Sequence, residues 1–186
     1  MIRHVVLTPY WNIPQDLVRS QIAPAVRQGG PAAFRERDLE ALAGWSPDAA
    51  VLRPESIDWP AVQAGEHRLR LRQKPGPRNM MGTVKFMLPN NLGIYLHDTP
   101  ARSDFDRARR TLSAGCVRVE DARWLGQWLF GAELASMMTG RPEQRVDLQE
   151  PTVVLLVYQT VEPRAGGGLI FHPDVYGRDE LRLAAS

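Results

Sequence analysis

Two short β-forming runs parted by a turn constrain this chain more than any other feature. Val84-Lys85-Phe86-Met87-Leu88 stops at Pro89-Asn90-Asn91, and Gly93-Ile94-Tyr95-Leu96-His97 follows. So short a separation predicts an antiparallel hairpin. Alternation along its second strand puts Tyr95 and His97 on the same face. That strand runs into Tyr-Leu-His-Asp-Thr-Pro at 95–100. An arginine-rich connector follows, and then Ser-Ala-Gly-Cys-Val-Arg at 113–118. Cys116 is the only cysteine in the chain, and His97, nineteen positions earlier, is one of four histidines.

A lone cysteine and a histidine supplied by separate segments form a candidate nucleophile–base pair. The thiolate is the reactive form of cysteine, and His97 is a candidate to take the thiol proton. Gly115 permits a positive-φ backbone beside the nucleophile and close approach of a substrate carbonyl. Ser113 offers a hydroxyl to the loop or to His97. Arg118 is a candidate to hold negative charge, and Tyr95 to contact substrate or buttress the imidazole. Residues 120–130 read as a helix, which would set Cys116 just before a helix N-terminus. Backbone N–H groups there favour an anion and contribute to an oxyanion hole. A free cysteine is often a small buried hydrophobe. Here its glycine, serine and arginine neighbours point instead to an exposed loop.

Composition narrows the classes. The 186 residues fit one domain. Net charge is +2 and almost all of the basicity is arginine, since Lys74 and Lys85 are the only lysines. That is too mild for a nucleic-acid binder, and it suits a substrate bearing carboxylates. One cysteine excludes an intramolecular disulfide. No apolar run approaches the ~18 residues of a membrane-spanning helix. Nucleotide-binding glycine motifs, His-Glu-x-x-His and Cys-x-x-Cys are absent. A zinc site from Cys116 and histidines matches no standard spacing, and a serine triad through Ser113 would leave Cys116 idle.

Along the chain, 4–8 read as a strand and Tyr10-Trp11 as a buried aromatic pair, with aromatics lining a groove as the alternative. Asp16 is a candidate cap for a helix carrying Leu17, Val18 and Ile22, broken at Gly29-Gly30-Pro31. Phe34, Leu39 and Leu42 suggest a second helix ended by Gly44. Trp45 and Trp59 are expected to pin the surrounding segment. His67 to Gln73 alternates as a half-buried strand. The arginines of 102–110 are read as a solvated helix face. Ala122, Leu125, Trp128 and Leu129 would share the buried face of the 120–130 helix, and 132–149 a short helix and polar loop. Thr152 to Val161 is predicted as a central strand, the glycine triplet 166–168 as a turn, and the last ten residues as a tail. This pattern is a β-rich α+β domain.

His-Asp-Thr-Pro followed by Ser-x-Gly-Cys-x-Arg closely resembles the signature of L,D-transpeptidases of the YkuD domain family. Pro9 to Pro14, Leu71 to Pro77, Val84 to Met87 and Tyr176-Gly177-Arg178-Asp179 resemble its larger, YcbB-like periplasmic branch. Where many members carry a second histidine, this chain has Ala114. The resemblance implies a YkuD-type β-sandwich over 1–186, with residues 15–66 a helical insertion capping the active site. It implies part of a longer exported protein acting in the periplasm or cell envelope. Cys116, His97 and Gly115 would be catalytic, and Tyr95, Ser113 and Arg118 substrate-binding. The expected activity is formation of 3→3 cross-links between peptidoglycan stem peptides through a Cys116 thioester, from a tetrapeptide donor to an amine acceptor. No metal or organic cofactor is needed, and carbapenems are expected to acylate Cys116. An L,D-carboxypeptidase or other cysteine hydrolase would release product without an acceptor amine. A non-catalytic wall-binding module would bind sacculi without turnover.

Overall fold

A computed structural model describes residues 1–46, 48–113 and 115–183. The chain divides into two compact units, Met1–Val153 and Val154–Ser186. The first holds two sheets. Strands β1 (Ile2–Leu7), β6 (Val84–Met87), β7 (Tyr95–His97), β8 (Val117–Arg118) and β9 (Gln144–Thr152) form a five-stranded sheet, ordered β8-β7-β6-β1-β9. Its pairings are antiparallel except β7 with β8, which run parallel. The predicted hairpin is β6–β7, with Lys85 opposite His97 and Met87 opposite Tyr95. Val5, Leu7, Val84, Phe86 and Leu96 alternate onto the opposite face and are buried there.

The second sheet, ordered β2-β5-β3-β4, comprises β2 (Trp11–Asn12), β3 (Leu39–Leu42), β4 (Val51–Leu52) and β5 (Arg70–Gln73). Against it pack α1 (Gln15–Leu17), a π-helical turn Val18–Ile22, α2 (Ala23–Arg35) and α3 (Trp59–Ala64). Val18, Ile22, Val26, Phe34, Trp59, Leu69 and Leu71 belong to one buried cluster. Its aromatic pair is Phe34 and Trp59, with ring centroids 5.8 Å apart. Trp59 thus pins this segment, also donating from Nε1 to the Pro54 carbonyl at 2.9 Å, while Trp45 is exposed with Arg68 and Arg70 near its ring. The expected break in the first helix falls at Gly30, whose φ of 64° kinks α2 just before Pro31.

The β-rich α+β expectation agrees with this architecture, and several local expectations do not. Asp16 lies inside the first turn of α1, whose cap position is Pro14. The expected helix through Leu39 and Leu42 is strand β3. Its pairing with β5 buries Leu39, Ala41 and Leu42, and this outweighs the helical spacing of Phe34, Leu39 and Leu42. Region 15–66 therefore contributes two strands as well as helices. The expected central strand 152–161 is displaced. The long strand is β9, which takes the free edge of β1 and ends at Thr152, so the polar stretch 144–149 is strand and 153–159 has no regular structure. α4 (Ala122–Phe130) begins where expected, capped by Asp121 accepting from Trp124 N, and ends at left-handed Gly131. Ala122 and Gly126 face inward and Trp128 is exposed, because Leu134 of α5 (Leu134–Met137) fills the space beside Gly126.

In the second unit, β10 (Val161–Pro163) and β11 (Leu169–Phe171) form the hairpin that the glycine triplet turns. Instead of a tail, its C-terminal stretch includes α6 (Arg178–Leu183). Tyr158 and Tyr176 pack with centroids 5.3 Å apart, and the Arg178 guanidinium lies near both rings. His172 is exposed, with Nε2 3.1 Å from Glu162.

Candidate active site

The strand registers assemble the site. Leu96 pairs with Val117 and His97 with Arg118 in the parallel ladder. Extending that register by one residue sets Cys116 beside Tyr95. Registered residues share a face, so Tyr95, His97, Cys116 and Arg118 all turn the same way. All four line a cavity of about 200 Å³. Ser113 lines it too, so residues of the segments 95–100 and 113–118 meet in one cavity.

His97 is buried, at 3% exposure. Its Nδ1 lies 2.5 Å from the carbonyl oxygen of Asp98. A carbonyl can only accept, so Nδ1 carries the hydrogen, and Nε2 of the neutral ring is left as the proton acceptor. Burial is the main cause holding the imidazole below its ordinary pKa. The cations Arg118 and Lys85 act in the same direction, and the Asp98 carbonyl and carboxylate oppose them. The neutral, base-competent ring is therefore favoured.

Asp98 locks the strand end. Its Oδ2 accepts from the N–H and hydroxyl of Thr83, at 2.8 and 2.9 Å. Its Oδ1 accepts from Thr99 N–H at 2.8 Å and pairs with Arg102 Nη2 at 2.7 Å. Arg102 also donates to the Glu120 carbonyl, tying this cluster to the segment before α4. Gly82, at φ 59°, makes room for it, since the Asp98 carboxylate lies where a Cβ would stand.

Cys116 is half-buried, with Sγ 3.9 Å from the Gly93 carbonyl. The strand β8 and a turn separate it from α4, whose N-terminus is capped by Asp121. The expected position directly before a helix N-terminus is thus not realised. Gly115 has φ 139° with open space where a Cβ would lie, and its N–H points to Ser113 Oγ at 3.4 Å. Burial, and then the charge and hydrogen bonding of Cys116, push the Tyr95 phenol well above its usual range. Tyr95 also reaches Met81 Sδ at 3.5 Å and packs edge-on to His97, centroids 5.9 Å apart. Arg118 Nη1 is 2.6 Å from Asp104 Oδ2. Ala114 lies outside the described residues.

The opposite wall includes Leu17 and Gln21 from the 15–66 segment expected to cap the site, whereas Met80 and Met81 were not singled out from the sequence. Trp11, Leu17, Gln21, Met80 and Met81 line the cavity. Trp11 was expected in a buried pair with Tyr10, whose ring instead stacks on Arg72 with the guanidinium carbon 3.9 Å from its centroid. The methionines are placed by buried Asn79. Its Nδ2 donates to the carbonyls of Pro9, Gln73 and Lys74, at 3.0, 3.2 and 2.9 Å, and its Oδ1 accepts from Met81 N–H at 2.7 Å. The available signal was an asparagine closing the turn Lys74-Pro75-Gly76-Pro77.

The family described as the YkuD L,D-transpeptidase catalytic domain matches residues 1–135, which include the whole cysteine–histidine site. The chain belongs to the YkuD family. A Haemophilus influenzae protein named "Putative L,D-transpeptidase" is 32% identical over 194 residues, covering 98% of this chain and 37% of that protein. The chain thus spans little more than a third of that relative's length. Within the YkuD domain, the match ends inside α5, before β9 and before the second compact unit. No helix among its described residues is long and apolar enough to cross a membrane.

Proposed function

We propose that this YkuD domain catalyses L,D-transpeptidation of peptidoglycan through a thioester on Cys116. One observation carries the reading. His97, with Nδ1 tied to a carbonyl and Nε2 free to accept, shares a cavity and a strand face with the sole cysteine.

The chemistry runs in two halves. In the first, Nε2 of His97 takes the Cys116 thiol proton, and Sγ attacks the carbonyl carbon of the third residue of a donor tetrapeptide, an L-centre. Backbone N–H groups around Gly115 and Cys116 hold the oxyanion. His97 returns the proton to the departing amine, the C–N bond breaks, terminal D-alanine leaves, and a thioester remains. In the second, the amine of a neighbouring stem attacks the thioester carbonyl. His97 accepts its proton, the C–S bond breaks, Cys116 is regenerated and a 3→3 amide is formed. Tyr95, Ser113 and Arg118 contact the donor. Residues 15–66 cap the site, which the presence of Leu17 and Gln21 in the cavity wall supports. The reaction places the protein in the periplasm or cell envelope, as part of a longer exported chain with 1–186 its catalytic portion. No cofactor enters the scheme.

The test is intact-protein mass after incubation with a disaccharide-tetrapeptide, wild type beside Cys116→Ala. A donor adduct or cross-linked dimer that requires Cys116 is the expected result. A folded wild-type protein giving neither would overturn the reading, and release of free tripeptide alone would assign an L,D-carboxypeptidase. Carbapenem should add its mass to wild type and not to Cys116→Ala.

A further inference from the structure

The registers of the five-stranded sheet align one row of residues across four ladders. Arg118 pairs with His97, His97 with Lys85, Lys85 with Val6, and Val6 with Arg145. His97 therefore stands between two cations, one on each neighbouring strand. Arg118 is compensated by Asp104 at 2.6 Å. Lys85 is the unusual one, a lysine at 8% exposure in a chain with two lysines. Its Nζ lies 5.9 Å from the Tyr95 ring centroid, and its carboxylate partner, Glu143, is 3.4 Å away and 41% exposed. That carboxylate is shared, because Glu143 Oε1 also accepts from Tyr10 N–H at 2.6 Å. Glu143 is itself fixed in a left-handed conformation, φ 56°, with its N–H on the Thr8 carbonyl at 3.1 Å. A buried lysine is costly unless its charge is used or paired. The pairing here is long, divided and open to solvent.

We propose that Lys85 is a positioning residue of the cysteine–histidine site. Its ammonium, fixed on the adjacent strand directly across from His97 and beneath the Tyr95 ring, holds the imidazole in its neutral, proton-accepting form. The inference rests on the cysteine–histidine reading above.

Neighbouring strands bring cross-strand side chains within about 5 Å at Cβ, close enough for a desolvated charge to bias a proton equilibrium. The other groups facing His97 are Tyr95 on its own strand, Asp98 beyond it, and Cys116 and Arg118 from the β8 side. Those facing Lys85 are Tyr95 and Glu143. His4 of β1 and Asp147 of β9 sit in the next row, opposite Met87 and each other. Among the described residues, Arg118 and Arg102 each hold a carboxylate within 3 Å, whereas the carboxylate of Lys85 lies at 3.4 Å.

The experiment is an NMR titration of His97, assigned among the four histidines by loss of its signal in His97→Gln. It needs no substrate, so it stands whether or not the transpeptidase reaction is observed. Lys85→Met removes the charge and keeps the apolar stem. It should raise the His97 midpoint by about half to one pH unit, a three- to tenfold gain in proton affinity. Lys85→Arg should titrate like wild type. Separately, the acid limb of the pH profile for Cys116 acylation should move with the midpoint. A His97 midpoint unchanged in folded Lys85→Met overturns the proposal, and so does a Lys85→Arg midpoint that moves as far as that of Lys85→Met. If Lys85→Met fails to fold, Glu143→Gln carries the test. Freeing the ammonium from its carboxylate should lower the His97 midpoint further, and a midpoint that stays or rises overturns the proposal.

Discussion

Arg118 sits in register beside His97 and pairs with Asp104, with Nη1 2.6 Å from Oδ2. Both side chains are largely buried, so removal of one strands the charge of the other. Arg118→Gln should therefore lower stability by about 1–3 kcal/mol. At ~2–4 °C per kcal/mol for a chain this long, several degrees of Tm would be lost. The double variant Arg118→Gln/Asp104→Asn should recover part of that loss, which differential scanning calorimetry would read. Recovery would identify the pair as structural support for β8. Its absence would leave Arg118 free for the donor carboxylate.

The buried imidazole makes stability depend on pH. Folding lowers the proton affinity of His97 below its ordinary value of 6.5. Below that value the unfolded chain therefore binds more protons than the folded one. The contribution from neutral His97 is complete above pH 6.5 and drains away as pH falls toward the folded-state value. Wild-type Tm should drop more steeply than that of His97→Gln on going from neutral to mildly acidic buffer. Parallel curves would show that His97 is not the titrating group.

Gly82 is required by the Asp98 carboxylate, not merely by the turn. Gly82→Ala places a methyl group where that carboxylate lies, at a backbone φ that L-residues avoid. The expected cost is about 2–4 kcal/mol. Because Asp98 follows His97 directly, Cys116 acylation should slow as well. A variant of wild-type stability and acylation rate would exclude this linkage.

Much of the site was legible because its signals are local. The hairpin β6–β7 is written in Pro89-Asn90-Asn91, and strand alternation alone puts Tyr95 and His97 on one face. The cap at Asp121 and the stop at Gly131 fixed α4 in the same way. What could not be read depended on partners far away in sequence. Leu39 to Leu42 has helical spacing and becomes a strand because β5 offers it an edge. The run 153–157 has stronger β propensity than β9, yet β9 holds the ladder with β1. Likewise, nothing local in Trp11, Leu17 or Met81 marks a cavity wall, since they meet only through the crossover at Pro9 and the Asn79 clamp. Lys85 looked like an ordinary strand residue until the register set it across from His97.

Trp59 tests the support of the far wall. It is 7% exposed, packed on Phe34, and bonded to the Pro54 carbonyl. Trp59→Ala should cost about 3–5 kcal/mol in urea unfolding. Trp59→Phe should cost less, keeping the ring and losing the hydrogen bond. Equal losses in the two would place the energy in the hydrogen bond and not in packing.

The cavity draws Tyr95, His97, Cys116 and Arg118 from one sheet, and much of its facing wall from β2 of the other sheet and the helical turn 15–22. Trp11, Leu17 and Gln21 of the facing wall lie far in sequence from Tyr95 to Arg118 and meet them only in space, while Met80 and Met81 close that wall from the turn just before the hairpin. Chemistry and selectivity can therefore drift independently in such a fold. Exchange of residues 15–22 would re-sculpt which ligands fit while leaving the His97–Arg118 register untouched. A change in the hairpin would displace His97 from Cys116 whatever the opposite wall admits.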